Sequence, residues 1–261
     1  MILTLFLFSV SFLIIKHKFY WRANHKNNTA IPGGEKISHR GLRLAGPENT
    51  VSGYVGAVED GFNWIELDVL STKDNVIVCS HNFDLERETN CKGYINQVEY
   101  SDLKSCYCVS KGNILSNEKI PTLISVLKTL PKDVGVNVEI KTNNIFDFKT
   151  ARAFNEVIQI LSERPNIVSS FNPLIVLYFR LFYNRVPVGF ILESKKYIKF
   201  VDWIHPHFLI PRADMLNKKL YKFAEHRKLK ILTWTVNNNS AINWCLDNNI
   251  LGIMTDLRYK D

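Results

Sequence analysis

The chain has 261 residues and an ordinary apolar fraction of 46%, so it can bury a core of normal size as one large domain or two small ones. Half of its formal charge of +8 comes from residues 1–36, and the excess over the rest is modest. No lysine and arginine run interleaved with aromatic residues is present, so no nucleic-acid partner is expected. An anionic small molecule or a membrane surface suits this charge at least as well.

The amino terminus is an apolar run from Met1 to Ile15 that ends at Lys16-His17-Lys18. As a helix it rises about 22 Å, less than the roughly 30 Å of a bilayer core, but flanking aromatic and lysine side chains can extend such a span. Its basic residues follow the apolar run, whereas a secretory signal peptide carries them before it. Residues 1–22 are therefore predicted to be a hydrophobic membrane anchor or uncleaved signal-like segment. The positive-inside rule then places the remaining chain on the cytoplasmic side. A cleaved signal and an exported protein are the alternative.

After a polar linker at residues 23–35, short apolar runs alternate with helix-length segments through residues 36–261. Strands are predicted at Lys36–His39, Trp64–Val69, Val76–Ser80, Gly135–Ile140, Asn166–Ser170, Val188–Leu192, Trp203–Ile204 with Phe208–Ile210, Lys230–Val236 and Gly252–Thr255. Helices are predicted at Thr50–Glu59, Leu123–Thr129, Phe148–Glu163, Pro173–Tyr183, Asp214–His226 and Ser240–Asn248.

Several strand runs, such as Ile231-Leu232-Thr233-Trp234, are apolar at both odd and even positions, which is typical of parallel strands covered on both faces. Strands that alternate with amphipathic helices indicate an α/β fold, and their number favours a (β/α)₈ TIM barrel with one of the nine runs left over. Residues 86–118 lack a periodic pattern and are predicted to be an insertion.

The five cysteines show no regular spacing: Cys79, Cys91, Cys106, Cys108 and Cys245. An odd number without a pattern argues against a disulfide framework. All five are predicted to be free thiols, which favours a reducing compartment.

Polar residues lie at or near the carboxyl ends of the predicted strands, which a parallel barrel gathers at one mouth. They are His39, Arg40, Glu66, Asp68, His81, Glu139, Lys141 and Trp234. Glu66 and Asp68 are two residues apart on one strand, so both side chains point to the same face. Three carboxylates meeting at a barrel mouth would repel one another unless a cation lay between them. Carboxylate oxygens suit Ca²⁺, Mg²⁺ or Mn²⁺ better than zinc.

These residues lie in runs that resemble the glycerophosphodiester phosphodiesterase family, in the family's order from position 38 to 256. The runs are Ser38-His39-Arg40-Gly41, Pro47-Glu48-Asn49-Thr50, Ile65-Glu66-Leu67-Asp68-Val69, Thr72-Lys73-Asp74, Ser80-His81-Asn82, Leu85-Glu86-Arg87, Ile120-Pro121-Thr122-Leu123, Val138-Glu139-Ile140-Lys141, Ser169-Ser170-Phe171, Thr233-Trp234-Thr235-Val236-Asn237 and Ile253-Met254-Thr255-Asp256.

The resemblance implies a phospholipase C-like phosphodiesterase barrel that cleaves glycerophosphodiesters to an alcohol and sn-glycerol 3-phosphate with one divalent cation, Ca²⁺ or Mg²⁺. It further implies roles for single residues. They are Glu66, Asp68 and Glu139 as metal ligands, His39 and His81 as the acid/base pair, and Arg40, Glu48, Lys141 and Trp234 as substrate-binding or orienting residues. We take His39 as the base and His81 as the acid. The family usually has Asp directly after the second histidine, where this chain has Asn82, and this difference is expected to affect the pH optimum.

Three other functions are alternatives to this prediction. The first is a membrane-associated lysophospholipase D acting on lysophospholipids, which the predicted anchor would hold near a bilayer. The second is a non-catalytic phosphate-binding or membrane-tethered interaction protein, but such a protein should lack at least one of the two histidines or three carboxylates. The third, a phospholipase C that forms cyclic inositol phosphates, fits the order of the motifs less well.

Overall fold

The computed structural model describes residues 2–24, 31–110 and 114–260. These ranges form eleven strands: β1 (Glu35–His39), β2 (Trp64–Ser71), β3 (Ile77–Cys79), β4 (Val109–Ser110), β5 (Ile114–Leu115), β6 (Gly135–Ile140), β7 (Asn166–Ser170), β8 (Val188–Leu192), β9 (Phe208–Pro211), β10 (Lys230–Thr233) and β11 (Gly252–Thr255). They also form ten α-helices: α1 (Ile2–Phe19), α2 (Val51–Asp60), α3 (Tyr100–Leu103), α4 (Leu123–Thr129), α5 (Lys149–Ala153), α6 (Ile158–Ser162), α7 (Pro173–Phe182), α8 (Val201–Ile204), α9 (Lys218–Arg227) and α10 (Asn239–Asp247).

Eight parallel strands close into a barrel in the order β1-β2-β6-β7-β8-β9-β10-β11, and β1 pairs with both β2 and β11. This confirms the predicted (β/α)₈ barrel. Apolar side chains that include Ile37, Trp64 and Phe208 form a cluster separate from the core between strands and helices. Gly135 allows the Trp64 ring to pack against β6, because a Cβ at this glycine would lie 2.3 Å from the ring.

The leftover strand run is β3, which pairs antiparallel with the end of β2 and lies outside the barrel. Val69 of β2 is opposite Cys79 of β3, so the chain folds back on itself and brings Ser80 and His81 alongside Asp68. The Ser80 amide donates to the carbonyl oxygen of Asp68 at 3.1 Å. A hairpin, rather than a barrel strand, therefore carries His81.

Three predicted elements differ in the structure. The predicted helix Phe148–Glu163 is divided into α5, a short 3₁₀ turn at Phe154–Glu156, and α6, yet its apolar face still lies in the core. Trp203–Ile204 belongs to α8 instead of a strand, and the left-handed backbone of His205 ends that helix. The helix predicted from Asp214 begins only at Lys218, because the side chain of Asn217 caps its first amides.

The insertion has a core of its own, formed by residues such as Leu85, Ile95 and Leu103 packed on Leu70 and Val78. Within it, Cys91 and Cys106 form a disulfide across 15 positions of sequence. The prediction of five free thiols is therefore wrong for these two, whereas Cys79, Cys108 and Cys245 are free and buried. The irregular spacing misled the prediction because the pairing depends on how the insertion folds back on itself.

Helix α1 reaches the barrel at the end where the strands begin. Arg227, the last residue of α9, donates to the Phe19 carbonyl oxygen at 2.6 Å, and its Nε lies 2.8 Å from Asp202 of α8. Trp21 donates to the same Asp202 at 3.0 Å. Both α8 and α9 lead into the starting ends of barrel strands, so α1 is attached opposite the carboxyl ends of the strands. No helix within the described ranges is long and apolar enough to cross a membrane.

Candidate active site

The turn after β1 places His39 and Arg40 at the carboxyl end of the barrel. Arg40 has a left-handed backbone with φ of 59°, and Gly41 follows with φ of 84°. A Cβ at position 41 would lie 2.7 Å from the backbone of Gly53, so this close approach to α2 needs glycine. The turn directs the Arg40 guanidinium toward the strand that carries Asp68, with 3.0 Å between Arg40 Nε and Asp68 Oδ2.

Three buried carboxylates meet on neighbouring strands. Glu66 and Asp68 lie on β2, Glu139 of β6 is the register partner of Asp68, and one oxygen of each lies within 4.8 Å of the others. Only 1% of Glu66 is exposed, and its Oε1 has no hydrogen-bond partner among the described residues. Burial and the negative charges of Asp68 and Glu139 raise the pKa of Glu66 well above its ordinary value. A divalent cation would relieve this repulsion, so the donor set fits a metal.

Two cationic side chains already neutralise part of this charge. Lys141 Nζ lies 2.9 Å from Asp68 Oδ1 and also contacts Glu139. Burial alone would raise the pKa of Asp68, but Lys141 and Arg40 outweigh it and lower that pKa to about 2. Guanidinium and ammonium groups are also the side chains with which proteins bind anionic phosphates.

His39 is held by a carboxylate that the sequence analysis did not assign to the site. Its Nδ1 lies 2.7 Å from Oδ1 of Asp256, which follows β11, and Asn237 donates to Asp256 Oδ2 at 2.6 Å. Hydrogen bonds from His39 and Asn237 overcome the effect of burial and lower the pKa of Asp256 to about 2. The ionised Asp256 can only accept, so His39 Nδ1 carries a proton, and Nε2 is the ring nitrogen left to exchange one with a substrate. This Nε2 lies 4.0 Å from Glu66.

His81 approaches the carboxylates from the β2–β3 hairpin. Burial and the positive charge of Lys141 lower the pKa of His81 to about 4. The turn that carries the imidazole is held by Glu88, which accepts from the His81 backbone amide at 3.2 Å.

The two remaining predicted residues lie on either side of this centre. Glu48 accepts from Arg40 Nη1 at 2.9 Å and lies 2.6 Å from Arg43, so it holds the guanidinium in place. Trp234 follows β10 and packs edge-on against Phe171, whose ring lies 5.8 Å from Lys141 Nζ. A cavity of about 300 Å³ opens beside Arg40 and Glu48.

The structure thus brings the nine predicted residues to one end of the barrel. Two residues of the site were not predicted from the sequence. One is Asp256, and the other is Asn49, which donates its side-chain amide to Asp68 Oδ2 at 3.1 Å. Both lie inside runs that carry the family resemblance, so a signal was present for each.

The family model for the glycerophosphoryl diester phosphodiesterase family matches residues 39–257. The chain belongs to this family. A glycerophosphodiester phosphodiesterase of Caldanaerobacter subterraneus subsp. tengcongensis is 28% identical over 84% of this chain and 93% of its own length. The human lysophospholipase D GDPD1 is 25% identical over 96% of this chain and 91% of its own.

Among solved structures, an Oleispira antarctica phosphodiesterase in complex with its product sn-glycerol-3-phosphate is similar with a TM-score of 0.79. It is 23% identical and covers 87% of this chain and 94% of its own, so it supports the barrel fold alone. As a glycerophosphoryl diester phosphodiesterase family member, the chain is a phosphoric diester hydrolase.

Proposed function

We propose that the chain hydrolyses glycerophosphodiesters to an alcohol and sn-glycerol 3-phosphate in a metal-dependent reaction with two histidines. The observation that carries this proposal is the buried oxygen of Glu66, which has no hydrogen-bond partner among the described side chains and faces two further carboxylates. A buried carboxylate group of this kind is costly unless a cation is bound. His39 Nε2 lies 4.0 Å from Glu66, and both Arg40 and Lys141 contact Asp68.

Glu66, Asp68 and Glu139 would hold one divalent cation, Ca²⁺ or Mg²⁺. When bound, it would offset the negative charge of the phosphodiester and polarise a phosphoryl oxygen. Arg40 and Lys141 add to this charge compensation from the protein itself.

His39 is placed to act as the general base and His81 as the general acid. With Nδ1 donating to Asp256, Nε2 of His39 can take the proton of the attacking hydroxyl group as its oxygen bonds to phosphorus. The phosphorus bond to the departing alcohol then breaks, and His81 gives its proton to that oxygen. When the attacking group is the glycerol hydroxyl of the substrate, this leaves a cyclic glycerol phosphate. Water then opens the ring, with His81 as base and His39 as acid, and sn-glycerol 3-phosphate is released. Although burial lowers the pKa of His81 to about 4, a bound anionic diester favours its protonated form.

Metal dependence is tested by assaying glycerophosphocholine hydrolysis after EDTA treatment, with Ca²⁺ or Mg²⁺ then added back. We expect activity to disappear in EDTA and return with one of the ions. Full activity in EDTA would contradict the proposed metal site. The acid role is tested by His81→Ala, which should lose far more activity on glycerophosphocholine than on glycerophospho-p-nitrophenol, because p-nitrophenol leaves without protonation. Equal losses on both substrates would exclude that role.

The placement of α1 supports a water-soluble diester over a lysolipid. We also propose that residues 1–22 attach the protein to a membrane surface, since the side chains from Phe6 to Ile15 are almost all exposed and a basic cluster follows them. Because α1 is attached opposite the carboxyl ends of the strands, the site would then face away from the bilayer that holds α1. Soluble substrates reach such a site freely, whereas lysolipids of the same membrane do not.

Lysophospholipase D activity is the second candidate, favoured by the similarity to GDPD1 over 96% of this chain. Glycerophosphocholine and lysophosphatidylcholine should be assayed in parallel, with the full chain and with a variant that lacks residues 1–22. Preference for lysophosphatidylcholine, lost in the shorter variant, would favour this second candidate.

The side of the membrane on which the barrel lies is also a proposal. The basic flank of α1 favours the cytoplasmic side, whereas the disulfide favours an oxidising compartment and thus export. We propose the exported orientation, since the disulfide between Cys91 and Cys106 would be reduced in the cytoplasm. Thiol alkylation of the protein in intact cells tests this, because a cytoplasmic barrel would expose Cys91 and Cys106 to the reagent without prior reduction.

A further inference from the structure

Glu88 lies in the insertion, yet its carboxylate holds three consecutive residues of the turn that carries His81. Its Oε2 accepts from Ser80 Oγ at 2.6 Å and from the His81 amide at 3.2 Å. Its Oε1 accepts from the Asn82 side-chain amide at 2.8 Å. One side chain therefore fixes both the backbone at His81 and the residues on either side of it.

The negative charge of Glu88 is not matched by a cation. Within the parts of the chain that the structure describes, no ion pair includes this carboxylate, although Arg87 is its direct neighbour. Arg87 is largely exposed, pairs with Asp84 at 3.2 Å and donates to Asn82 Oδ1 at 3.4 Å, which holds that amide oxygen away from Glu88. Burial raises the pKa of Glu88 above its ordinary value. Burying a carboxylate without a cation costs free energy because the charge loses its hydration. The three hydrogen bonds that Glu88 accepts from one turn offset this cost.

Backbone contacts within the insertion fix the position of Glu88. The Val109 amide of β4 donates to the Glu88 carbonyl oxygen at 2.9 Å, and Thr89 forms a β-bridge with Cys108. The disulfide between Cys91 and Cys106 closes this segment a few residues further on. The insertion thus fixes the backbone of Glu88, and the Glu88 carboxylate in turn holds the turn that carries His81.

From these contacts we infer that Glu88 is a positioning residue for His81, matched to the amide at Asn82. This inference rests on the proposed acid role of His81. The match is specific, because the Asn82 amide can donate to Glu88 whereas an aspartate at position 82 would face it with a second negative charge. With Asp at position 82 and Gln at position 88, this hydrogen bond would run in the opposite direction, from the glutamine amide to the aspartate carboxylate. The oxygen of the glutamine could still accept from Ser80 and the His81 amide.

The test uses four variants of the full chain: E88Q, N82D, N82D/E88Q and the control E86Q. Glu86 lies two residues before Glu88, but it is exposed and accepts from the Gly93 amide at 3.1 Å, away from the His81 turn. On glycerophosphocholine, E88Q and N82D should each lose about 10- to 100-fold in kcat, within the range that proton transfer contributes. On glycerophospho-p-nitrophenol both should stay within about threefold of wild type, since that alcohol leaves without a proton. E86Q should behave like wild type on both substrates.

The double variant decides between positioning and a purely structural role. N82D/E88Q should recover to within about threefold of wild type on glycerophosphocholine, because the hydrogen bond between positions 82 and 88 is restored in reverse. The proposal is overturned if the double variant is no better than the worse single one, or if E88Q loses equally on both substrates. It is overturned too if E88Q matches E86Q.

The double variant also keeps the test usable if E88Q alone folds poorly. H81A, measured alongside, separates this proposal from the proposed function. If H81A loses equally on the two substrates, the acid role of His81 fails; if H81A is selective and E88Q is not, only the role of Glu88 fails.

Discussion

Replacement of Asp256 by asparagine tests how much the contact to His39 contributes to catalysis. The hydrogen bonds to Asp256 lower its pKa from 3.8 to about 2 although burial opposes this. A shift of this size corresponds to about 2 kcal/mol of interaction with the ionised form, and about 2 kcal/mol is roughly a 30-fold change in rate. Because the pKa is lowered on folding, the interaction is present above pH 3.8 and is lost only as the pH falls toward 2. Asp256 therefore stays ionised at every pH of a usual assay.

We expect Asp256→Asn to lower kcat/KM for glycerophosphocholine at least about 30-fold, since an amide neither fixes the His39 tautomer nor stabilises its protonated form. KM should change little, because Asp256 lies behind the imidazole. The control is Glu163→Gln, a half-exposed carboxylate that pairs with Lys132 ahead of β6 and β7, at the opposite end of the barrel. The reasoning is refuted if Asp256→Asn keeps more than a third of wild-type activity while thermal unfolding shows a folded protein.

Three further outcomes follow from the same structure. In metal-free protein the pKa of Glu66 is raised, so its contribution to folding stability is fully present below pH 4.5 and is lost as the pH rises toward the folded-state pKa. Glu66→Gln should therefore raise the Tm of the metal-free protein at pH 8. The same variant should abolish the Tm increase that Ca²⁺ or Mg²⁺ causes in the wild type. Gly41→Ala should destabilise the fold by about 2 kcal/mol in chemical denaturation, because its φ of 84° and the 2.7 Å approach to Gly53 leave no room for Cβ; an unchanged midpoint would contradict this. Cys91→Ser should cost up to about 3 kcal/mol, the chain-entropy value for a loop near 15 residues, and added reductant should then have no further effect on its Tm.

The barrel could be predicted because its strands are short and apolar on both faces, a pattern that depends on local sequence. Six of the nine strand runs match barrel strands almost to the residue, for example Gly135–Ile140 as β6. The elements that differ were decided by tertiary context. Trp203 and Ile204 are apolar enough for a strand, but the contacts of Asp202 with Trp21 and Arg227 place them in a short helix under α1. In the same way, the antiparallel course of β3 depends on pairing with the extended end of β2, which local pattern does not encode.

The site was predictable where a charged residue lies within an otherwise apolar strand, as with Glu66, Asp68 and Glu139. Residues that act through another side chain gave a weaker signal. Asp256 follows β11 but is far in sequence from His39, and only the closed barrel brings the two together. Glu88 lies in a segment without periodicity, so its contact with the His81 turn could not be read from spacing. The difference at Asn82 was visible in the sequence, but the carboxylate beside it was not.

The turn that carries His81 is supported by a packing unit smaller than the barrel core. The insertion packs in its own apolar cluster, although Ile77 and Cys79 of β3 lie in the barrel core, whereas His39 and the three carboxylates lie on barrel strands. Small cores open at lower free energy than the main core, as amide hydrogen exchange detects. A transient opening of the smaller unit removes the proposed proton donor while the carboxylate cluster stays assembled. We therefore expect hydrolysis of glycerophosphocholine to be lost at a lower temperature than the barrel fold, as activity and circular dichroism measured on heating would show.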